Sequence, residues 1–282
     1  MKLFNTQLSH EDISQIDKVL RSGILGFGPN VAVFEEKFSL FSGKNFNIST
    51  NSASAAAYMI FAYLKEINGI CDVYTTSLGF TSPAWAAKHH GHNVIFVDVR
   101  DDLLMCVDHY RAVRRSTESF RQPVVMPVLY GGVSTIEGFS DGLQGDEIVV
   151  IDSAHCAMPT MDADFMFFSF HPYKPICTSD GGMISTDLLA AAKYFKSYRN
   201  FGRMTTGITY DITQNGFKFY MNNLNATIGL TQLDRYEKNV EKRQNVYKTL
   251  SNTYELLPHD SRSSYYFATT LVDDADEIIE RH

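Results

Sequence analysis

No stretch of the 282-residue sequence approaches the ~20 consecutive apolar residues that a membrane-crossing helix needs, so no membrane partner is expected. Cysteine is scarce: Cys71, Cys106, Cys156 and Cys177 are widely spaced, with no CxxC pair. That pattern argues against a disulfide framework or a zinc site and reads as reduced thiols in a cytoplasmic protein, with no metal expected. Lys and Arg form no block, and the net charge is −7, which argues against nucleic acid as a partner. The opening "MKLFNTQLSHEDISQ" turns polar within a few residues and is not expected to be a signal peptide. Internal repeats and low-complexity tracts are also missing.

What is present looks like an ordinary globular chain. Apolar residues make up 44% and charged residues 20%, and the length suits one large α/β domain or a large domain with a small appendage. "SHEDISQIDKVLRSG" reads as a helix capped by Ser9 and stopped at Gly23, and "PNVAVFEEKFSLFSG" as a second, with Pro29 near its start and Gly43 past its end. "SASAAAYMIFAYLKE" is a third. Strand-like "DVYTTS", "NVIFVDV", "PVVMPVLYG", "EIVVID", "DFMFFSF" and "GGMIST" follow, alternating in part with helical "SPAWAAKHHG", a helix near 108–115 and "DLLAAAKYFKSYR". This alternation predicts a mainly parallel sheet covered by helices on both faces. After Arg199, "NFGRMTTGITYDITQNGFKFY" reads as loop, and "MNNLNATIGLTQLDRYEKNVEKRQNVYKTLSNTY" as one long helix. "SSYYFATTLVDDADEIIERH" reads as a strand and the first turns of another helix.

Open parallel sheets bind ligands beyond the carboxyl ends of their strands. Four features fall there: Asp152 closing "EIVVID", Lys174 beyond "DFMFFSF", Phe80 beyond "DVYTTS", and the small residues of "NSASAAA" entering a helix. A lone lysine is ordinarily a surface cation, and an Asp-x-x-His is a weak signal by itself. Together they make the set that pyridoxal 5′-phosphate (PLP) needs. The lysine meets the aldehyde, the carboxylate keeps the pyridine nitrogen protonated, the helix N-terminus takes the phosphate, and an aromatic lies against the ring. Elsewhere the bland readings prevail. His89, His90 and His92 of "KHHGH" sit where a helix ends and suit its dipole. Arg199 and Arg203 fit surface ion pairing as well as a substrate anion, and "DRYEKNVEKRQ" is a solvated helix face.

From about residue 10 to 272 the sequence resembles the DegT/DnrJ/EryC1/StrS sugar aminotransferases. The concordant stretches are "GPNVAVFEEKFSLFSG", "NSASAAAYMIFAYL", "LGFTSPAWAAKHHGHNVIFVDV", "MPVLYGG", "IDSAHC", "FSFHPYK…SDGGMIST" and "GFKFYMNNLNATIGLTQLDR". The resemblance implies an α/β PLP-dependent aminotransferase of fold type I, with a mainly parallel seven-stranded sheet flanked by helices. It further implies that Lys174 carries the cofactor as a Schiff base and shuttles a proton. Asp152 would pair with the pyridine nitrogen, His155 would hydrogen-bond near the ring's phenolic oxygen, and Phe80 would stack on the ring. Ser54, the main chain of Ala53 and Ala55, and Ser169 would hold the phosphate. Lys218 stands where many members carry an asparagine that reaches the neighbouring subunit's phosphate, so a homodimer with shared sites is implied.

Residues 1–235 are then the large PLP-binding domain. Residues 236–282 are a long helix and the start of a small domain expected to be incomplete, because members usually continue well beyond a strand like "YYFATTLV". The implied activity transfers an amino group from glutamate to a nucleotide-linked keto-sugar for amino-sugar and surface-glycan biosynthesis, and "SFHPYK" hints at a UDP-4-keto sugar. Two rival readings stay open. One is a PLP-dependent sugar dehydratase, against which Lys174 argues because such relatives carry histidine there. The other is a non-catalytic PLP- or sugar-nucleotide-binding protein of the same fold.

Overall fold

Ser9 starts the first helix, α1 (His10–Ser22), through a reciprocal capping box with Asp12, and Pro29 opens α2 (Pro29–Ser42) at its first turn. Both helices stop at the glycines expected from the sequence. The computed structural model describes residues 8–206 and 209–276. The chain then runs β1 (Phe46–Thr50), α3 (Ala53–Asn68), β2 (Asp72–Thr76), α4 (Thr81–His89), β3 (Asn93–Val97), α5 (Val107–Ser116) and β4 (Pro123–Met126). A short α6 (Phe139–Gly142) precedes β5 (Ile148–Asp152), β6 (Phe165–Ser169), β7 (Gly182–Thr186) and α7 (Leu189–Tyr198).

These seven strands form one sheet in the order β1-β7-β6-β5-β4-β2-β3. Pairing is parallel from β3 to β6, and β7 is antiparallel to both its neighbours. All strands but the edge strand β3 are buried on both faces, so in most of them apolar residues run continuously and alternate between two cores. Val149, Ile151, Met166 and Phe168 point into one, with Phe34 and Phe38 of α2. Val150, Phe165 and Phe167 point into the other, with α3 and α7. The mainly parallel, helix-covered sheet is thus as expected.

Four details differ from the sequence reading. β1 was not foreseen, because "FNIST" is largely polar; its Asn47, Ser49 and Thr50 are nonetheless buried and hydrogen-bonded. The segment read as loop after Arg199 contains an antiparallel pair, β8 (Arg203–Thr206) and β9 (Thr209–Ile212). The single long helix is two, α8 (Asn223–Asp234) and α9 (Tyr236–Leu250). They break at Arg235, whose guanidinium turns to the Asp12 carboxylate of α1 at 2.6 Å while Tyr236 is buried. The strand expected in "SSYYFATTLV" does not form. Its amides instead bond the carbonyls of the Gly131–Gly132 turn, too short an edge for a ladder. Most of the helix expected after it lies outside the described residues.

Arg199 is neither a surface cation nor a substrate contact. Its side chain is 4% exposed and pairs with Glu35, and Nη1 donates to the Ser49 carbonyl at 2.6 Å. Glu35 in turn accepts from the Ser49 amide and hydroxyl. Removing either partner leaves the other's charge buried and unmatched. Arg199→Met or Glu35→Leu should therefore each lower unfolding free energy by about 3–5 kcal/mol, and the double variant by less than their sum. Urea denaturation measures this; single losses below about 1 kcal/mol would mark the pair as no stronger than a surface one.

Candidate active site

All the sheet's parallel strands deliver their carboxyl ends to one edge, and β7 begins there because it runs the other way. Thr50 and Ser169 pair with opposite sides of Gly182, which brings the start of α3 beside the end of β6. A Cβ on Gly182 would lie 2.5 Å from the Ser52 carbonyl carbon, so only glycine lets the two turns approach. Beyond this edge opens a cleft of about 460 Å³. It is lined by seven of the residues singled out in the sequence: Lys174, Asp152, His155, Ala53, Ser54, Phe80 and Ser169. The size suits one cofactor-sized molecule.

Asp152 ends β5, and its backbone is locked on both sides by Pro127 and Leu129. Its carboxylate is buried and accepts a 2.9 Å bond from the Ala154 amide. Burial pushes it up to about 6, against the pull of that amide and of the Lys174 charge. Lys174 sits in a tight turn, its amide bonded to the His171 carbonyl. Its Nζ lies 4.6 Å above the centre of the Tyr266 ring. Burial draws the amine down to about 8, while the Asp152 carboxylate opposes the drop. His155 is pressed against Tyr266, ring centres 4.4 Å apart, and burial together with the Lys174 charge keeps it neutral by drawing it down to about 3. Its Nδ1 is buried without a hydrogen-bond partner among the described residues.

At the α3 end, Ser52 caps the helix by accepting from the Ala55 amide, so Ala55 is buried behind the turn and its N–H is already engaged. Ala53 and Ser54 do face the cleft, and Ser54 hydrogen-bonds Ser82 of α4 at 2.9 Å. Ser169 lies opposite, its hydroxyl only loosely engaged by the His171 amide at 3.5 Å. Phe80 is 76% exposed at the start of α4, a bare aromatic face at the cleft wall. Lys218 lies outside the cleft, exposed, with its ammonium over Tyr220. Of the histidines of "KHHGH", His92 meets backbone groups of Cys71 and Phe61 with both nitrogens, whereas burial draws His90 down to about 4, so it adds no charge to the helix dipole.

Sequence reasoning missed Ser52, Ser82, Tyr130, Tyr266 and Phe267. Ser52 was findable as the capping residue before an apolar run. Tyr266 and Phe267 were not, since a fold-level contact with Gly131 carries them to the cleft from more than a hundred residues away.

The arrangement fits PLP by its own chemistry. It offers an amine close to neutrality, a buried acid, an orphaned imidazole nitrogen, an exposed aromatic face, and hydroxyls at a helix N-terminus. The profile of the DegT/DnrJ/EryC1/StrS aminotransferase family matches residues 6–270, and the chain belongs to that family. The Bacillus subtilis (strain 168) spore coat polysaccharide biosynthesis protein SpsC is 26% identical, over 95% of this chain and 74% of its own length. A UDP-4-amino-4,6-dideoxy-N-acetyl-β-L-altrosamine transaminase of Campylobacter jejuni is 28% identical, over 94% and 72%. Among solved structures, Spr1654 of Streptococcus pneumoniae in its PLP form superposes with a TM-score of 0.85 at 24% identity, covering 98% of this chain and 79% of that one. The fold is therefore that of the aminotransferases, and the family's cofactor is PLP.

The electrostatics yield a direct expectation. Competitive acetylation of the cofactor-stripped protein, read by mass spectrometry, should show Lys174 becoming reactive as pH rises through about 8. In Asp152→Asn the supporting negative charge is gone, so the midpoint should fall further. A midpoint at the ordinary lysine value of about 10.4 would contradict the burial described above.

Proposed function

We propose that this member of the DegT/DnrJ/EryC1/StrS family is a PLP-dependent aminotransferase that passes an amino group from glutamate to a nucleotide-linked keto-sugar. The observation that carries the reading is the meeting of Lys174 and Asp152 at one sheet edge, each drawn by burial towards its neutral form. When bound, PLP supplies an electron sink for the pair left behind as a C–H bond at the amino-bearing carbon breaks.

The chain's own residues do the rest. Lys174 Nζ would hold the cofactor through its aldehyde and, with burial drawing the amine towards neutrality, would serve as the base that moves the proton. Asp152, unable to ionise cheaply alone, holds a proton against the pyridine nitrogen. His155 presents its free Nδ1 to the ring's polar edge, and Phe80 covers a face and excludes water. The Ser54 and Ser169 hydroxyls and the Ala53 amide hold the phosphate, with the α3 N-terminus adding its dipole.

The sugar-nucleotide assignment draws on the Campylobacter relative's named activity and on the "SFHPYK" spelling; a UDP-4-keto sugar in surface-glycan synthesis is the specific proposal. Lys218, pointing away from its own cleft, suits a homodimer in which it serves the neighbour's phosphate as a point charge. Residues 1–235 act as the cofactor-binding unit, and 236–282 begin a smaller one whose Tyr266 and Phe267 already wall the cleft. Among the described residues no helix is long and apolar enough to cross a membrane. The four free cysteines support a cytoplasmic setting.

Borohydride reduction followed by peptide mapping tests the reading. A pyridoxyl group is expected on the peptide containing Lys174 and is expected to be lost in Lys174→Ala. Added glutamate should bleach the yellow protein with release of 2-oxoglutarate. Protein that stays colourless after incubation with PLP, with Lys174 unmodified, would end the proposal.

A further inference from the structure

Among the described residues, the direct contact of the Lys174 ammonium is an aromatic face: Nζ lies 4.6 Å above the centre of the Tyr266 ring. The Asp152 carboxylate acts on the amine through its charge rather than through a hydrogen bond. A cation this close to a ring face is held by the ring's quadrupole, and more firmly where water is partly excluded. Lys174 and Tyr266 are both half-buried, and they line the same cleft.

The ring is fixed independently of the lysine. The Tyr266 amide donates to the Gly131 carbonyl at 3.0 Å. The ring packs on His155 at 4.4 Å and on Phe267 at 4.3 Å, centre to centre. Lys174, by contrast, reaches it on a flexible stem of the kind that ordinarily carries its charged end towards water.

We propose that Tyr266 is a positioning residue for Lys174: its ring is the seat on which the ammonium rests, and it keeps Nζ inside the cleft with Asp152 and His155. The task assigned to this seat rests on the reading of Lys174 as the cofactor lysine, whose amine has to wait where an aldehyde arrives. A ring face favours the ammonium, so Tyr266 works against the burial that draws the amine down to about 8. Asp152 favours the ammonium too, and His155 is neutral at that pH. Tyr130, His171, Tyr173 and Asp180 are the other titratable groups of the cleft lining. From α9, Arg243 acts on the Tyr266 phenol and reaches the Lys174 carbonyl at 3.5 Å.

The test is the pH midpoint of Lys174 acetylation in the full chain stripped of cofactor, compared across Tyr266→Phe, Tyr266→Leu and Tyr266→Met. Phe keeps the ring face; Leu and Met keep apolar bulk without it. The Phe variant should hold the wild-type midpoint. Leu and Met should lower it by about half a pH unit to one unit, as expected for losing a partly desolvated cation–π contact. A purely structural role would lower the melting temperature and leave the midpoint where it is, and that result overturns the proposal. A midpoint raised in Leu and Met overturns it as well, because the ring would then act only by excluding water. An equal fall in Phe does the same, by assigning the effect to the phenol oxygen. Should the Leu variant fail to fold, the Met and Phe pair decides. Peptide mapping of the wild-type cofactor adduct separates the two readings. With no adduct but the expected fall, the aminotransferase assignment fails and Tyr266 keeps its role. With an adduct and an unmoved midpoint, the reverse holds.

Discussion

One buried ion pair, Arg199 with Glu35, holds together the three pieces of chain on which the anion end of the cleft depends. Glu35 comes from α2 and Arg199 from the end of α7, and both close on Ser49 of β1. The Arg199 carbonyl also takes the amides of Phe219 and Tyr220, and the Asn51 amide bonds the Phe219 carbonyl. The turn from β1 into α3 is thus gripped from both sides, one residue before Ser52 caps the helix. Desolvating two charges is expensive, and it is offset here because Arg199 Nη1 also donates to the Ser49 carbonyl and Glu35 also accepts from the Ser49 amide and hydroxyl. The helix N-terminus then points at the cleft because its entry has no other course.

The cleft uses the same desolvation with the opposite outcome. Asp152 is buried and Lys174 and His155 are half-buried, yet the fold leaves them incompletely matched: one amide for the carboxylate, an aromatic face for the ammonium, and among the described residues no partner for His155 Nδ1. Unsatisfied buried polar groups are rare in folded proteins and cluster where something else is meant to bind. Burial draws Asp152 and Lys174 each towards its own neutral form, while the charge of the other opposes the shift.

Local signals in the sequence carried much of this. The Ser9 and Pro29 helix starts, the small-residue entry to α3, and the apolar strands ending in Asp152 and Ser169 all depend on short-range rules, and the helices and strands lie where those rules put them. β1 escaped because its buried residues are polar and draw several of their partners from afar, from Glu35, Arg199 and Ser185. Arg235 breaks the long helical pattern through an ion pair with Asp12, 223 positions away, which no periodicity can register. Within the site, cofactor-facing residues next to strand ends were legible. Those delivered by tertiary contact, Tyr266 and Phe267, were not.

The segment that brings Tyr266 to the cleft is held by geometry rather than by bulk. Ser264, Tyr266 and Phe267 donate their amides to the Gly131–Gly132 turn, and Asp260 binds the amide and hydroxyl of Ser134. Gly132 makes this possible, since a side chain there would meet the Tyr266 nitrogen and the His155 carbonyl at 2.9 Å. Tyr265 adopts φ 47°, a left-handed conformation that costs an aromatic residue stability unless its surroundings fix it. Its ring packs outward on Tyr247 and His259, while the reversal turns Tyr266 inward onto His155. One strained residue therefore sorts two adjacent tyrosines to opposite sides.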